Sequence, residues 1–146
     1  MKKRIVAIVT AAVVLVILTV YFGIYGGNTK VPFETVTDKT MPRELEADII
    51  PLYRDTERAL ACKVEDEFYV LAMRGEKPTS GYEIQITELE LESRDDKSNL
   101  IVYATFADPG TPETMAQVKS YPMSVVKADL NGLPDTIELR SEFISD

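Results

Sequence analysis

From Ile5 to Gly27 the chain reads IVAIVTAAVVLVILTVYFGIYGG, 23 residues without a charge. As a helix this run is roughly 34 Å long, against a hydrocarbon thickness of about 30 Å. Thirteen of its residues are Ile, Leu, Val or Phe. At a few tenths of a kcal/mol each, they favour insertion by about 4–8 kcal/mol. Such a segment is too long and too uniformly apolar for the core helix of a small domain. A cleaved signal would carry a shorter apolar stretch and then a small-residue site, whereas this run ends in YFGIYGG. No Cys near that end offers the usual bacterial lipid attachment point. The segment is therefore read as an uncleaved signal anchor, with Tyr21 and Tyr25 as an aromatic belt at its far end. Lys2, Lys3 and Arg4 keep the N-terminus cytoplasmic by the positive-inside rule. The rest of the chain then lies outside the cell membrane.

This division gives a basic N-terminus at 1–4, a transmembrane anchor at 5–27, a polar, Thr-rich stalk at 28–40 and an outer domain at 41–146. Beyond the anchor, 13 of the 16 basic residues face all 24 acidic ones, a net charge of −11. Nucleic acid and anionic headgroups are poor partners for such a surface.

Two absences limit the chemistry. The chain has no His, which removes Ser-His and Cys-His nucleophiles and most catalytic zinc sites. Its one Cys, Cys62, excludes an internal disulfide and reads as a small buried hydrophobe within RALACKV. Glu90 and Glu92 alternate with Leu89 and Leu91 as the wet side of a strand, and Asp95–Asp96 belong to a polar turn. The expectation is no enzyme activity, no metal, no cofactor and no small-molecule substrate.

The outer domain opens with MPRELEADIIPLYRDTERA, where Leu45, Ile49 and Leu52 keep helical spacing. Pro51 cannot sit inside an unbroken helix, so a break is expected around Ile50. Strand patterns follow: RALACKV and EFYVLAMR across an acidic turn, then YEIQITELELES. In that third stretch the apolar phase shifts between Ile86 and Leu89, which predicts a β-bulge near Thr87–Glu88. LIVYATFA is apolar on both sides and reads as a central strand; QVKSYPMSVVKA and TIELR supply the last two. Leu100, Val102 and Phe106 should share a core face with Tyr82, Ile84 or Ile86. Six or so short strands at this spacing define a mainly β domain, sandwich or barrel.

The stretch KPTSGY, Lys77 to Tyr82, enters a strand through a constrained turn. Pro78 fixes its own backbone, and Gly81 is expected at positive φ. Thr79 and Ser80 can stiffen the turn by local hydrogen bonds, with Tyr82 planted at the strand start. The loop is either punctuation or a rigid recognition element, and composition leaves both open. SYPM, with Tyr121 and Pro122, carries the same ambiguity; Tyr-Pro raises the chance of a cis bond, and Pro122 should mark a strand start or bulge.

In order along the chain, GEKPTSGYEIQI, LIVYATFADPG and QVKSYPMSVVK resemble the C-terminal domain of the PrcB family, described as protease-complex subunits. The resemblance covers about Phe68 to Lys127. It implies a non-catalytic, surface-associated β domain that assists or stabilises a secreted or surface protease; the anchor at residues 5–27, read above as held in the lipid bilayer, is a departure from that family. More distantly, KPTSGY is similar to a loop of the chagasin-like inhibitors of papain-type proteases, which are immunoglobulin-like. Lys77 stands where those carry Asn, and Ser80 where they carry a second Thr. Their Gly-rich and Arg-Pro-aromatic loops are matched only by DPGTPE and SYPMS. Together with the residue patterns, these resemblances lead to the expectation of a small antiparallel β-sandwich, immunoglobulin/chagasin-like, with a short helical segment after one transmembrane helix. They also imply partner-binding residues at Lys77, Pro78, Thr79, Ser80, Gly81, Tyr82, Tyr121 and Pro122. Direct protease inhibition and a structural envelope role with no protease partner stand as the competing readings.

Overall fold

A computed structural model describes residues 1–24 and 27–144. Tyr25, half of the expected aromatic belt, lies outside the described residues. The first element, α1 (Lys2–Ile24), is one helix. Its Lys2–Tyr21 stretch is long and apolar enough to cross a membrane, and none of that stretch is buried against the rest of the protein.

Eight strands follow: β1 (Thr29–Lys30), β2 (Phe33–Thr35), β3 (Glu57–Val64), β4 (Glu67–Arg74), β5 (Glu83–Arg94), β6 (Lys97–Ala107), β7 (Met123–Ala128) and β8 (Thr136–Phe143). They form two four-stranded sheets, ordered β1-β5-β6-β8 and β2-β7-β4-β3, and no barrel closes. The mainly β sandwich expected from the sequence is the fold found. Every pairing is antiparallel except β6 with β8, which is parallel. It is the one parallel pairing among the described residues of an otherwise antiparallel sandwich. Chain direction on the two edges of a sheet is set by the crossover between them, which no local pattern encodes.

Residues 28–40, expected as a stalk, supply an edge strand to each sheet. Thr29 and Lys30 pair with Leu91 and Glu90, and Phe33 to Thr35 pair with Ala128 to Val126. Between them Val31 is buried and donates its N–H to the Leu89 carbonyl at 2.9 Å. The strand expected from Gln117 starts only at Met123, directly after Pro122, because Pro has no N–H for the ladder.

The core between the sheets joins Val70, Ala72 and Val126 of one to Ile84, Ile86, Leu89, Leu100, Val102 and Phe106 of the other. Leu100, Val102 and Phe106 thus share a face with Ile84 and Ile86 as expected, whereas Tyr82 stands outside the cluster. The phase shift in β5 is a bulge: Ile86 pairs with Ala104 and Glu88 with Tyr103, leaving Thr87 extra. It lets Ile84, Ile86, Leu89 and Leu91 all face inward despite the shift.

A second apolar layer explains why β4 is buried on both sides. Tyr69, Leu71 and Met73, on its outer face, are covered by Leu45, Ile49, Ile50 and Tyr53. Those residues come from a π-helical turn, Leu45–Ile49, that passes into α2 (Ile50–Tyr53). The expected break at Ile50 is this change of helix type, with Pro51 at the start of the second turn, where its missing N–H costs least. Cys62 packs half-buried in this layer. Burial, and secondarily the Glu44 carboxylate, push its thiol pKa above the ordinary value, so it is a poor nucleophile.

Candidate functional site

The two ends of the sandwich are built differently. At one end β3–β4 and β5–β6 are joined by two-residue turns, since Val64 pairs with Glu67 and Arg94 with Lys97. All four turn residues, Glu65, Asp66, Asp95 and Asp96, have φ between 50° and 64°. Positive φ at both central positions is the turn whose twist matches the flanking strands, although Asn-Gly would adopt it at lower cost.

At the other end lie the long connections 75–82 and 108–122. They are joined to each other. Lys77 and Ser120 exchange both backbone hydrogen bonds, at 2.8 and 3.0 Å, and Ser80 N–H donates to the Ala116 carbonyl at 3.1 Å. Ser120 Oγ donates to the Thr79 carbonyl at 2.6 Å. Gly81 has φ +95°, as its position required. A Cβ there would lie 3.0 Å from Pro109 Cβ and 3.1 Å from Met115 Sδ, so the absence of a side chain is what lets the loops close.

Beneath the loops lies Arg74, the last residue of β4, with its side chain 2% exposed. Its Nη1 donates to the carbonyls of Glu83 and Ala107, each at 3.1 Å, and Nη2 to Asp108 Oδ1 at 2.6 Å. The guanidinium lies 4.4 Å from the Phe106 ring centroid and 5.5 Å from that of Tyr82. One cation therefore holds the first residue of β5, the last of β6 and the start of the second loop, while Nε is buried without an acceptor. Charge-assisted bonds to three chain segments cross-link the end of the sandwich. Sequence reading missed Arg74 because an Arg ending a strand looks like a solvated terminus, and Asp108 lies 34 residues away.

Of the eight expected binding residues, all fall in this loop assembly, in different roles. Pro78 and Gly81 are exposed, Lys77, Ser80, Tyr82, Tyr121 and Pro122 are half-buried, and Thr79 is buried. The Thr79 hydroxyl donates to the Ser80 carbonyl, so Thr79 is committed to shaping the loop. Lys77 Nζ sits 5.6 Å from the Tyr82 ring centroid. Tyr121 donates to Glu76 Oε2 at 3.1 Å, lies under the Arg54 guanidinium at 4.1 Å, and precedes Pro122 through a trans bond. Lys119 joins Glu76 at 3.0 Å. Lys119 first, then Tyr121, hold the Glu76 carboxyl below its usual range, and Glu76 in turn raises the pKa of Lys119 and of Tyr121. The exposed rim, Pro78 with Ala116, Gln117, Val118 and Lys119, includes four residues that the motif reading did not single out.

What these features define is a β-sandwich domain with one end of hairpin turns and one of cross-linked loops. Residues 68–129, from β4 to the end of β7 and including the whole loop assembly, match the family model described as PrcB C-terminal. The match falls on the stretch whose motifs resembled that family, and it supports that resemblance. No curated protein and no solved structure matches the chain.

Proposed function

We propose that the protein is a membrane-anchored, non-catalytic binding subunit of a protease complex, held by α1 with its β domain outside the cytoplasmic membrane. The observation that carries this reading is that the PrcB match encloses both loops and their Arg74 cross-link. A pre-ordered loop loses little entropy on binding, which favours recognition of a folded protein. The rim residues with Lys77, Pro78, Tyr82, Tyr121 and Pro122 form the contact surface, and Thr79, Ser80 and Gly81 hold its shape.

The test is purification of the full-length tagged protein from its native membrane, with Lys77→Ala and Val118→Ala alongside. A protease is expected to co-purify. The variants should keep the melt within about 0.5 kcal/mol, as surface changes do. They should weaken the complex by more than about 1 kcal/mol if they touch its centre. Recovery of envelope components but no protease would transfer the protein to the structural class. Stoichiometric slowing of a papain-type protease by the purified protein would make it an inhibitor instead.

A further inference from the structure

Strand register fixes which end of the sandwich the anchor reaches first. Thr29, five residues after the end of α1, pairs with Leu91, close to the Asp95–Asp96 turn. From there the chain runs through Phe33, opposite Ala128, to Val36, whose N–H reaches the Val125 carbonyl, moving toward the loop end. Five residues span at most about 17 Å. From Leu91 back to Glu83, β5 covers roughly 25 Å, and the loops 75–82 and 108–122 project beyond that. Because pairing begins at Thr29, only residues 25–28 separate α1 from the sheets, a link too short to let the domain turn over.

Charge is divided along the same axis. The end near the anchor carries Glu65, Asp66, Asp95, Asp96, Asp129 and Asp135 against Lys63, Arg94 and Lys97, and so stays acidic. The loops 75–82 and 108–122 hold Glu76, Asp108 and Glu113 against Lys77 and Lys119, and the buried Arg74 beneath them balances Asp108, so the loop end is near neutral on a domain of net −11. Val118 is 61% exposed there, and so is Phe143, at 65%, which ends β8 at the same end beside Phe106. Depletion of net charge with exposed apolar side chains marks a protein-docking surface, and acidic flanks resist lying down on anionic headgroups.

We infer that the domain stands on the bilayer with its hairpin turns toward the lipid and its loop pair outward. The partner is a protein in the aqueous phase, met on the order of 30 Å above the headgroups. This rests on the anchor and binding readings proposed above.

Full-length protein reconstituted in phosphatidylcholine liposomes with a headgroup-labelled acceptor lipid tests it. Donor dyes are placed on Asp96→Cys and Val118→Cys in a Cys62→Ala background. If that background does not fold, Cys62 is kept and the labelling of the unsubstituted protein is subtracted. Energy transfer to the lipid should be strong from position 96 and several-fold weaker from 118. Equal transfer, or the reverse order, overturns the orientation while leaving the anchor intact. Failure of the protein to float with the liposomes overturns anchor and orientation together. If the order is as expected but Val118→Ala leaves the purified complex unchanged, the orientation stands and the outward end is not the docking surface.

Discussion

The two ends of this sandwich solve the same problem, returning a chain into a sheet, by opposite means. At the hairpin end two acidic dipeptides turn within two residues, and the one longer connection among the described residues, 129–135, is tied only where Asp129 meets Pro32 and Asp135 meets Ser98. At the loop end the connections run to eight residues or more, and ties between segments distant in sequence hold them: Arg74 to Asp108, Lys77 to Ser120, Ser80 to Ala116. The first kind of end is cheap, local and replaceable. The second is an investment in shape, and a chain that needs only to turn has no use for it. The cross-linked end is therefore where function is sought, and the difference between the ends can be tested by breaking each.

The largest effect is expected from Phe106→Ala, which removes a ring that is 1% exposed beneath Arg74 at the loop end. A loss of about 3–5 kcal/mol should appear in chemical denaturation. An unchanged midpoint would show that the loop end does not share the core. Arg74→Ala should cost about 2–4 kcal/mol, since three acceptors lose a charged donor, tempered by the half-exposed Asp108. Hydrogen exchange should then rise in 75–82 and 108–122 and stay level in the two hairpins. Uniform loosening of both ends would dissolve the distinction. Gly81→Ala is expected to cost about 1–3 kcal/mol, because Cβ would meet both positive φ and Pro109.

The hairpin end should respond in the opposite direction. Replacing Glu65–Asp66 by Asn-Gly relieves two side chains held at positive φ and should raise stability by about 1 kcal/mol. A loss would show that the exposed Lys63–Asp66 pair, 3.3 Å apart, outweighs the relief of strain. The smallest effect is electrostatic. Glu76 has its folded pKa depressed by Lys119 and Tyr121, so its contribution is complete above the ordinary carboxylate range. It fades as pH falls through the lowered value. Wild type and Lys119→Ala should therefore converge in melting temperature on acidification below that range, and a gap that persists there would assign the Lys119 effect to packing.

Much of this fold was legible because its signals are local. The phase shift between Ile86 and Leu89 announced the bulge, the acidic dipeptides announced the hairpins, and Pro51 announced the change of helix type. Pro78 and Gly81 located the constrained loop, and Gly81 has the backbone conformation its position implied. What escaped is what depends on distant pairing. Thr29–Lys30 and Phe33–Thr35 are too short and polar to look like strands, and only the unfilled edges of β5 and β7 give them that form. The Arg74 cross-link joins residues with no shared pattern, and the burial of Thr79 follows from Ser120 lying over it. The loop motif marked the right region, but it could not tell which side chains build the surface and which support it.

The parallel pairing of β6 with β8 governs the order in which the molecule can be completed. Synthesis runs from the N-terminus, so β6 is made well before Thr136. Until β8 arrives, one edge of β6 offers open N–H and C=O groups beside Leu100, Val102 and Phe106, the kind of edge that recruits foreign strands. Closing it requires joining residues some 37 apart, such as Asn99 and Thr136, a slow step by loop entropy. The newborn domain thus passes through an interval in which it is almost assembled but still adhesive, and the parallel partner that ends this interval is the last strand to be made.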